Sequence, residues 1–275
     1  MLRGFYTAAA GMMANQRMQE TLSNNMSNAN TPGYKADQGT MRAFPELLIQ
    51  QMGSKNIPTT SGFKIPDGGH VGSLNTGVYM QESIPSFKQG DLKETGIGTD
   101  LALVQNAVPD ETGFLFFHVQ DDGGEDRYTR NGNFTVDGEG FLTTNQGNYV
   151  LDENGDPVNT GGLEFAVTAD GILSVENGQT FTLGLSYSPD AGDMVKEGND
   201  LFRLSEEGAP LENARGNDAI SFSIQQEHLE RSNVDANRTM TEMMNTYRSF
   251  EMNQRVLKAY DQSMQKAVTE IGRVT

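Results

Sequence analysis

Methionine and glycine are distributed unevenly along this chain, and their distribution limits the folds open to it. Ten of the 14 methionines lie in residues 1–35 and 226–275, whereas only four of the 31 glycines do. Methionine is a good helix former, and glycine destabilises helix interiors. The pattern predicts an α plus all-β fold class, in which an antiparallel β domain is inserted between N- and C-terminal helices.

The N-terminal segment, residues 1–35, is predicted to hold a helix from Leu2 to Met26 that ends at an asparagine-rich stop. Positions three and four apart form a seam that contains small and polar side chains as well as apolar ones. Asparagine competes for backbone hydrogen bonds, and Pro32 restricts the residue before it, so the helix should end here. Two interpretations stay open: the helix docks on its own domain, or it packs against neighbouring chains.

The region between the helices divides into two parts. Residues 36–77 are expected to be an extended linker with one short helix around Phe44–Met52, because prolines and glycines follow that piece. Residues 78–225 carry short runs of β-forming residues, separated by turn dipeptides such as Asn131-Gly132 and Asp137-Gly138. Closely spaced signals of this kind predict a meander of antiparallel strands.

The C-terminal segment, residues 226–275, returns to a helical pattern. Ser232, with Asp235 three residues later, resembles a capping box and places the predicted helix start near Asn233. A long helix with a thin, methionine-rich apolar stripe needs a partner. We therefore expect the two terminal helices to pair as a coiled-coil-like bundle.

Two sets of residues are predicted to mediate assembly. The assembly motif joins the asparagine-rich stop to the start of the second helix and comprises Asn24, Asn25, Asn28, Asn30, Thr31, Pro32, Gly33, Tyr34, Lys35, Ser232, Asn233, Val234 and Asp235. The assembly stripe comprises apolar positions of both helices: Phe5, Met12, Leu22, Met26, Met240, Met243, Tyr247, Phe250, Leu257 and Met264.

Charge and composition exclude several classes of function. The formal net charge is −17, and residues 36–225 alone carry −19, a field that repels nucleic acid and anionic lipid. Cysteine is absent, which excludes disulfides, thiolate metal sites and a cysteine nucleophile. The sequence has no run of 18 apolar residues, so no lipid-spanning segment is predicted. The first residues lack the features of a cleavable signal peptide.

No pattern of residues predicts catalysis, a cofactor or a metal. His70, His118 and His228 lack the spacing of metal ligands. Asp152–Asp156 resembles the start of a calcium loop, without the glycine and the bidentate acid that such a loop requires. The protein is therefore not expected to be an enzyme, although an acidic glycan hydrolase stays an alternative that no motif supports.

Three stretches resemble the bacterial flagellar basal-body rod and hook protein family. They are, in chain order, Gly11–Gln16 with Asn24–Lys35, then Phe87–Gly96 with Thr99–Leu103 and Tyr128–Phe134, then Leu229–Asp235 with Arg248–Gln254. The resemblance covers nearly the whole chain and is closest to the distal-rod type, the FlgG/FlgF class with its FlhO/FlhP-like members in Gram-positive bacteria. Residues Val104–Thr112 depart from the family pattern, which usually has a shorter connection there.

The resemblance implies a structural role in motility. Family members pack their paired terminal helices into the inner tube of a helical polymer and leave the cell through the flagellar type III export apparatus. It implies self-assembly with other copies and with neighbouring rod and hook subunits, in the distal rod of the basal body. The alternative from another class is a cell-surface β-rich adhesin or binding module that is dimerised by its terminal helices.

Overall fold

The structure, a computed structural model, describes residues 2–56, 64–121, 123–205, 208 and 211–271. The chain forms two compact units that are each discontinuous in sequence. The helical unit comprises residues 1–23, 38–83 and 237–275, and the β unit comprises residues 24–37 and 84–236. Eleven basic and eight acidic residues fall in the helical unit, against nine basic and 29 acidic residues in the β unit. The acidic charge therefore belongs to the β unit.

Two long helices and four strands supply most of the helical unit in the described ranges. They are α1 (Leu2–Ser27), β1 (Asp37–Ala43), β2 (Leu47–Asn56), β3 (Lys64–Leu74), β4 (Val78–Pro85) and α2 (Ala236–Ile271). Strand β1 pairs with β4, and β2 pairs with β3.

The β unit is built from shorter strands. They are β5 (Leu92–Glu94), β6 (Leu101–Ala107), β7 (Phe114–Gln120), β8 (Asp126–Thr129), β9 (Phe134–Val136), β10 (Leu142–Thr144), β11 (Tyr149–Val150), β12 (Phe165–Val167), β13 (Ile172–Val175), β14 (Thr180–Thr182), β15 (Leu185–Ser188), β16 (Met194–Gly198), β17 (Leu201–Leu204), β18 (Glu212–Asn213), β19 (Ser221–Gln226) and β20 (His228–Glu230). Two 3-10 helices, Ala191–Asp193 and Ala214–Gly216, lie among them.

The terminal helices and the antiparallel β region between them are confirmed. Helix α1 ends where the stop predicts, and its last turn shows why. The Asn28 side-chain amide donates to the carbonyl oxygen of Asn24 at 3.0 Å, and the Asn28 backbone N–H donates to that same oxygen at 3.1 Å. A side chain that competes for the last helical carbonyl ends the helix.

The two helices contact each other inside the helical unit at two glycines of α1. A Cβ at Gly4 would overlap the Tyr260 ring, and one at Gly11 would lie 2.9 Å from the side-chain nitrogen of Asn253. The contacts are seven residues apart on each helix and run in opposite directions, so α1 and α2 are antiparallel here. Pairing as a coiled coil stays a prediction.

The short helix expected around Phe44–Met52 is wrong. Strand β2 occupies most of that segment and pairs with β3 from Leu47 opposite Leu74 to Asn56 opposite Lys64. A short apolar run is compatible with a helix or a strand, and the cross-strand ladder decides in favour of the strand. The part of the expected linker at residues 57–63 lies outside the described residues.

The predicted start of the second helix is also wrong, by three residues. Helix α2 begins at Ala236 instead of near Asn233. The chain before it is extended, because β20 pairs with β5 and the Asn233 side chain hydrogen-bonds to backbone groups elsewhere in the β unit. These bonds compete with the capping geometry that the sequence suggests.

The largest sheet of the β unit has nine strands in the described ranges. Its main path runs β16-β17-β8-β7-β11-β10-β9, and β15 pairs with both β7 and β18. Asp137-Gly138 and Asn145–Gly147 make the hairpin turns on either side of β10, as predicted. Asn131-Gly132 does not make a hairpin, because β8 pairs with β7 and β17, whereas β9 pairs with β10.

Strand β7 supplies side chains to two hydrophobic clusters because its residues alternate between two faces. Leu115, Phe117 and Val119 belong to the larger cluster. Phe114 and Phe116 belong to the smaller, phenylalanine-rich cluster, which also contains Phe202. The smaller cluster lies beside the charged site described next.

Candidate functional site

Three charged side chains meet in the interior of the β unit, and we call them the junction: Lys35, Arg130 and Glu230. The Lys35 Nζ lies 2.6 Å from one carboxylate oxygen of Glu230, and the Arg130 Nε lies 2.6 Å from the other. No more than 2% of any of the three residues is exposed to solvent. One carboxylate therefore neutralises one of two buried cations.

The remaining polar atoms of the junction bind backbone groups. Arg130 donates to the carbonyl oxygens of Leu115 at 2.8 Å and Leu103 at 2.5 Å. Lys35 donates to the Lys88 carbonyl at 2.9 Å, and the Gly90 N–H donates to Glu230 at 2.7 Å. Buried charges persist only when they are paired and hydrogen-bonded, and these bonds meet that requirement.

An aromatic ring completes the surroundings of the two cations. The Phe114 ring centroid lies 4.7 Å from the Lys35 nitrogen and 4.5 Å from the guanidinium carbon of Arg130. The negative face of a ring stabilises a nearby cation, most strongly where water is excluded. The excess positive charge therefore has an electrostatic partner other than Glu230.

Burial and charge shift the ionisation of the junction. Burial, opposed by the attraction of Glu230 and assisted by the Arg130 charge, lowers the pKa of Lys35 to about 8. Burial by itself raises the pKa of Glu230, but the charges of Arg130 and Lys35 outweigh it and hold that pKa below its usual range. Glu230 is thus an ionised carboxylate at neutral pH, held by its two neighbours.

Gly33 explains why a proline-glycine turn precedes Lys35. Its φ of +70° lies in the left-handed region, and its N–H donates to the carbonyl of Glu230 at 2.8 Å. A Cβ at this position would lie 2.5 Å from the carbonyl oxygen of Arg130. Only glycine combines this backbone conformation with so close an approach.

Asn233 ties the segment before α2 to two other segments of the β unit. Its Oδ1 accepts the Ala36 N–H at 2.7 Å, and its Nδ2 donates to the carbonyls of Ser86 at 2.7 Å and Lys88 at 3.1 Å. A single amide side chain thereby connects the asparagine-rich stop, the entry to the β strands and the approach to α2.

The asparagines of the stop make local hydrogen bonds. Asn25 is buried, donates to the Asp37 carbonyl at 2.7 Å and accepts from the Asp37 N–H at 2.8 Å and the Tyr34 hydroxyl at 3.2 Å. Asn28 donates to the Asn24 side chain at 2.7 Å. These contacts match the interpretation in which the asparagines end a helix and shape a turn.

The structure brings most of the assembly motif together on the β unit. Gly33, Tyr34 and Lys35 are buried. The half-buried members are Asn28, Thr31, Pro32, Ser232, Asn233 and Val234, and the exposed members are Asn24, Asn30 and Asp235. Whether these residues mediate assembly stays a prediction.

The assembly stripe is divided between exposed and shielded positions. Leu22 is buried, and Met240 and Tyr247 are 55% and 58% exposed. The half-buried members are Phe5, Met12, Met26, Met243, Phe250, Leu257 and Met264. Part of the assembly stripe is therefore shielded from solvent within the single chain, and part is exposed to solvent.

Sequence reasoning did not select Arg130, Glu230 and Lys196 as site residues. Lys196 donates to an Asp37 carboxylate oxygen at 2.7 Å and lies 4.1 Å from the Tyr34 ring centroid. The sequence marks Arg130 and Glu230 only by their position, since each lies inside a stretch that carries the family resemblance. Nothing in the sequence indicates that those stretches share one ion cluster.

The residues rejected as metal ligands are placed apart or in turns. The His118 ring stacks on Tyr128 at 5.4 Å, and the His228 Nδ1 lies 2.8 Å from the Gln226 carbonyl oxygen. The side chain of His70 is outside the described residues. Asp152 accepts the N–H groups of Asn154 and Asp156 in a turn. Within the described ranges no group of three or more acidic, histidine or cysteine residues could hold a metal ion.

Neither α1 nor α2, the long helices of the described chain, is apolar enough to cross a membrane.

Three family profiles match successive parts of the chain. Residues 5–35 match "Flagella basal body rod protein", and residues 112–178 match "Flagellar hook protein FlgE/F/G D1 domain". Residues 225–270 match "Flagellar basal body rod FlgEFG protein C-terminal". The first and last profiles include Lys35 and Glu230, and the middle profile includes Arg130, so each contributes one residue to the junction.

Full-length relatives show the same likeness. The chain is 42% identical, over all of both chains, to the flagellar hook-basal body complex protein FlhO of Bacillus subtilis strain 168. It is 30% identical to FlhP of the same strain, over 96% of this chain and 97% of the relative. It is 29% identical to the flagellar basal-body rod protein FlgF of Caulobacter vibrioides, over 98% of each.

Proposed function

Because this chain belongs to the flagellar basal-body rod and hook protein family, we propose that it is a structural subunit of the basal-body rod. Its location is the flagellar basal body, and its place is the distal part of the rod. It reaches that place through the flagellar type III export apparatus and binds other copies of itself and neighbouring rod and hook subunits. Its role is mechanical and involves neither catalysis nor a cofactor.

The junction is the observation that carries this proposal. Each of the three family-matched stretches contributes one charge to it, so the junction joins all three stretches inside the β unit. A shaft transmits torque only if its subunits do not hinge. A fully bonded, buried ion cluster supplies such rigidity within the β unit.

The helical unit supplies the surface for self-assembly. Large apolar side chains of its helices face solvent in the single chain: Tyr6, Met13, Met240, Met244, Tyr247 and Met252 are each at least half exposed. Exposed apolar surface of this kind is typical of an interaction site. We propose that the terminal helices pair as a coiled-coil-like bundle and bury these side chains against other subunits in a helical tube.

A clean deletion of the gene, followed by electron microscopy of isolated basal bodies, tests the proposal. We expect a shortened rod without a hook, restored by the wild-type gene on a plasmid. Complete absence of the rod would move the protein to the proximal part. Normal rods, hooks and swimming would refute the structural role and favour the alternative of a surface adhesin.

A further inference from the structure

The helical unit carries an apolar groove on the side of α1 that faces β4. Ala10, Met13 and Ala14 of α1 form one wall, and Phe44, Val78 and Tyr79 form the other. The volume of the groove is about 150 Å³. Met13 is 62% exposed, and Phe44 and Val78 are 38% exposed, so the groove opens to solvent.

Backbone contacts fix the walls of the groove. The Phe44 N–H donates to the Gly77 carbonyl at 3.0 Å, and the Phe44 and Tyr79 rings lie 5.0 Å apart. A Cβ at Gly77 would lie 2.9 Å from the Cβ of Ala10, so glycine permits the strand to approach the helix closely. The groove is therefore built into the packing of the unit.

A second apolar surface, the outer stripe, lies on α2. It consists of Met240, Met244 and Tyr247, which are 55%, 50% and 58% exposed. Their spacing of four and three residues aligns them on one helix face. Met243 and Phe250 lie four and three residues from Tyr247 and are half-buried along one side of the same stripe, so the outer stripe is the part of it that α2 leaves exposed within its own chain.

Two different surfaces on one subunit suit an open polymer. A contact between unlike patches repeats from copy to copy and generates a helical filament when the rotation does not close. We propose that the groove of one copy receives the outer stripe of the next copy, with the Tyr247 ring in the cavity. An apolar cavity of about 150 Å³ accommodates a benzene-sized ring. The inference rests on the proposed function and names the contact through which it operates.

Charge sets the direction of the stripe in the groove. Arg17 lines the groove at the end farther along α1, and its side chain is exposed. Glu251 stands one turn after Tyr247 and is half-buried, and it pairs with Arg255 of the same helix at 3.0 Å. When α2 of one copy lies parallel to α1 of the other, Arg17 of one copy meets Glu251 of the other as a second cationic partner beside Arg255.

The absence of cysteine makes disulfide cross-linking a clean test. The variant Val78→Cys, Met244→Cys places one thiol on the groove wall and one on the outer stripe. It is expressed as the sole copy in the deletion strain, and the cells are treated with copper–phenanthroline. A thiol pair cross-links only where the backbones approach within about 7 Å. The control variant, Val78→Cys, Val268→Cys, places the second thiol on α2 at a residue that is 74% exposed and far from the stripe.

We expect the double variant to yield a ladder of covalent multimers, because each copy contributes both halves of the contact. Each single-cysteine variant and the control pair should yield no ladder beyond dimers. Swimming cells without a ladder above that of the control would overturn the contact and leave the proposed function intact. Normal rods in the deletion strain would instead overturn the function itself.

A second measurement decides if the cysteines prevent swimming. Tyr247→Ala empties the proposed cavity, whereas Tyr247→Phe keeps the ring and removes only the hydroxyl. We expect Tyr247→Ala to reduce the number of hook-bearing basal bodies at least tenfold and Tyr247→Phe to retain wild-type numbers. Equal numbers for the two variants would overturn the inference.

Discussion

Removing the single carboxylate of the junction should destabilise the β unit far more than removing one of its two cations. Glu230→Gln removes the counter-ion of both buried cations. Glu230 is the group that holds the Lys35 pKa up, so Lys35 should lose its proton in this variant, whereas Arg130 stays charged. Breaking a buried ion pair from one side costs about 3–5 kcal/mol in unfolding free energy. Because Arg130 keeps its charge without a partner, we expect a cost within that range.

Lys35→Met is the informative comparison. It preserves chain length and apolar packing, and it leaves Arg130 paired with Glu230 as a neutral unit. The Gly90 N–H still donates to the freed carboxylate oxygen, and Asn233 still donates to the Lys88 carbonyl. The remaining loss is that of two hydrogen bonds from a charged donor, each worth about 1.5–3 kcal/mol, less the desolvation cost that the buried ammonium no longer carries. We therefore expect about 1–3 kcal/mol for this variant.

The matched control is Glu197→Gln, the same chemical change in an ion pair at the surface of the β unit. Glu197 pairs with Arg127, and its side chain is 41% exposed. Exposed pairs contribute about 0–1 kcal/mol, so this variant should be close to wild type.

Urea unfolding of the purified proteins, followed by far-UV circular dichroism and near-UV tyrosine signals, measures the three differences. The urea slope must be unchanged between variants for the free energies to be comparable. A Glu230→Gln variant that unfolds within about 1 kcal/mol of Lys35→Met would refute the reasoning. It would mean that water or a relaxed backbone solvates the Arg130 cation once the carboxylate is gone.

Three further outcomes are expected. Gly33→Ala should lower the melting temperature more than Gly96→Ala. Both glycines have positive φ, so each alanine would be strained by about 1–3 kcal/mol, but only the Cβ at position 33 would also overlap the backbone of Arg130. The difference in unfolding free energy between wild type and Glu230→Gln, measured by urea unfolding, should shrink as pH falls below about 4.3. Glu230 has a lowered pKa in the folded state, so it stabilises the fold only while it is ionised, and this stability is lost as pH falls through that pKa. Met243→Asp and Phe250→Asp should each give shortened rods without hooks in electron micrographs while the circular dichroism of the β strands is kept. Full-length rods with hooks in both variants would contradict the assembly stripe.

Periodic patterns and turn chemistry were sufficient to predict the helices and the antiparallel strands. The stop after α1 follows from local competition for backbone hydrogen bonds, which the sequence displays directly. Strand β2 cannot be told from a helix by its local sequence, because its pairing with β3 depends on residues elsewhere in the chain. The start of α2 was misplaced for the same reason, since Asn233 bonds to residues some 145–197 positions away.

The junction could not be predicted, although all of its residues lie in recognisable stretches. From its residue type alone, each of Lys35, Arg130 and Glu230 would be expected at the surface, because lysine, arginine and glutamate are almost never fully buried unless they are paired. Recognising the pair requires knowing that residues 35, 130 and 230 are neighbours. Local sequence gives no measure of that proximity.

The junction also makes the fold depend on nearly the whole chain. Lys35 and Glu230 are 195 positions apart, so their contact closes a loop whose entropy costs about 5 kcal/mol. Until residue 230 is available, Lys35 and Arg130 have no carboxylate to share, and their burial is unfavourable. A chain truncated before residue 230 is therefore expected not to pack Lys35 and the turn around Gly33 into the β unit. The three side chains of the junction thus stiffen the β unit and also make its folding depend on residue 230.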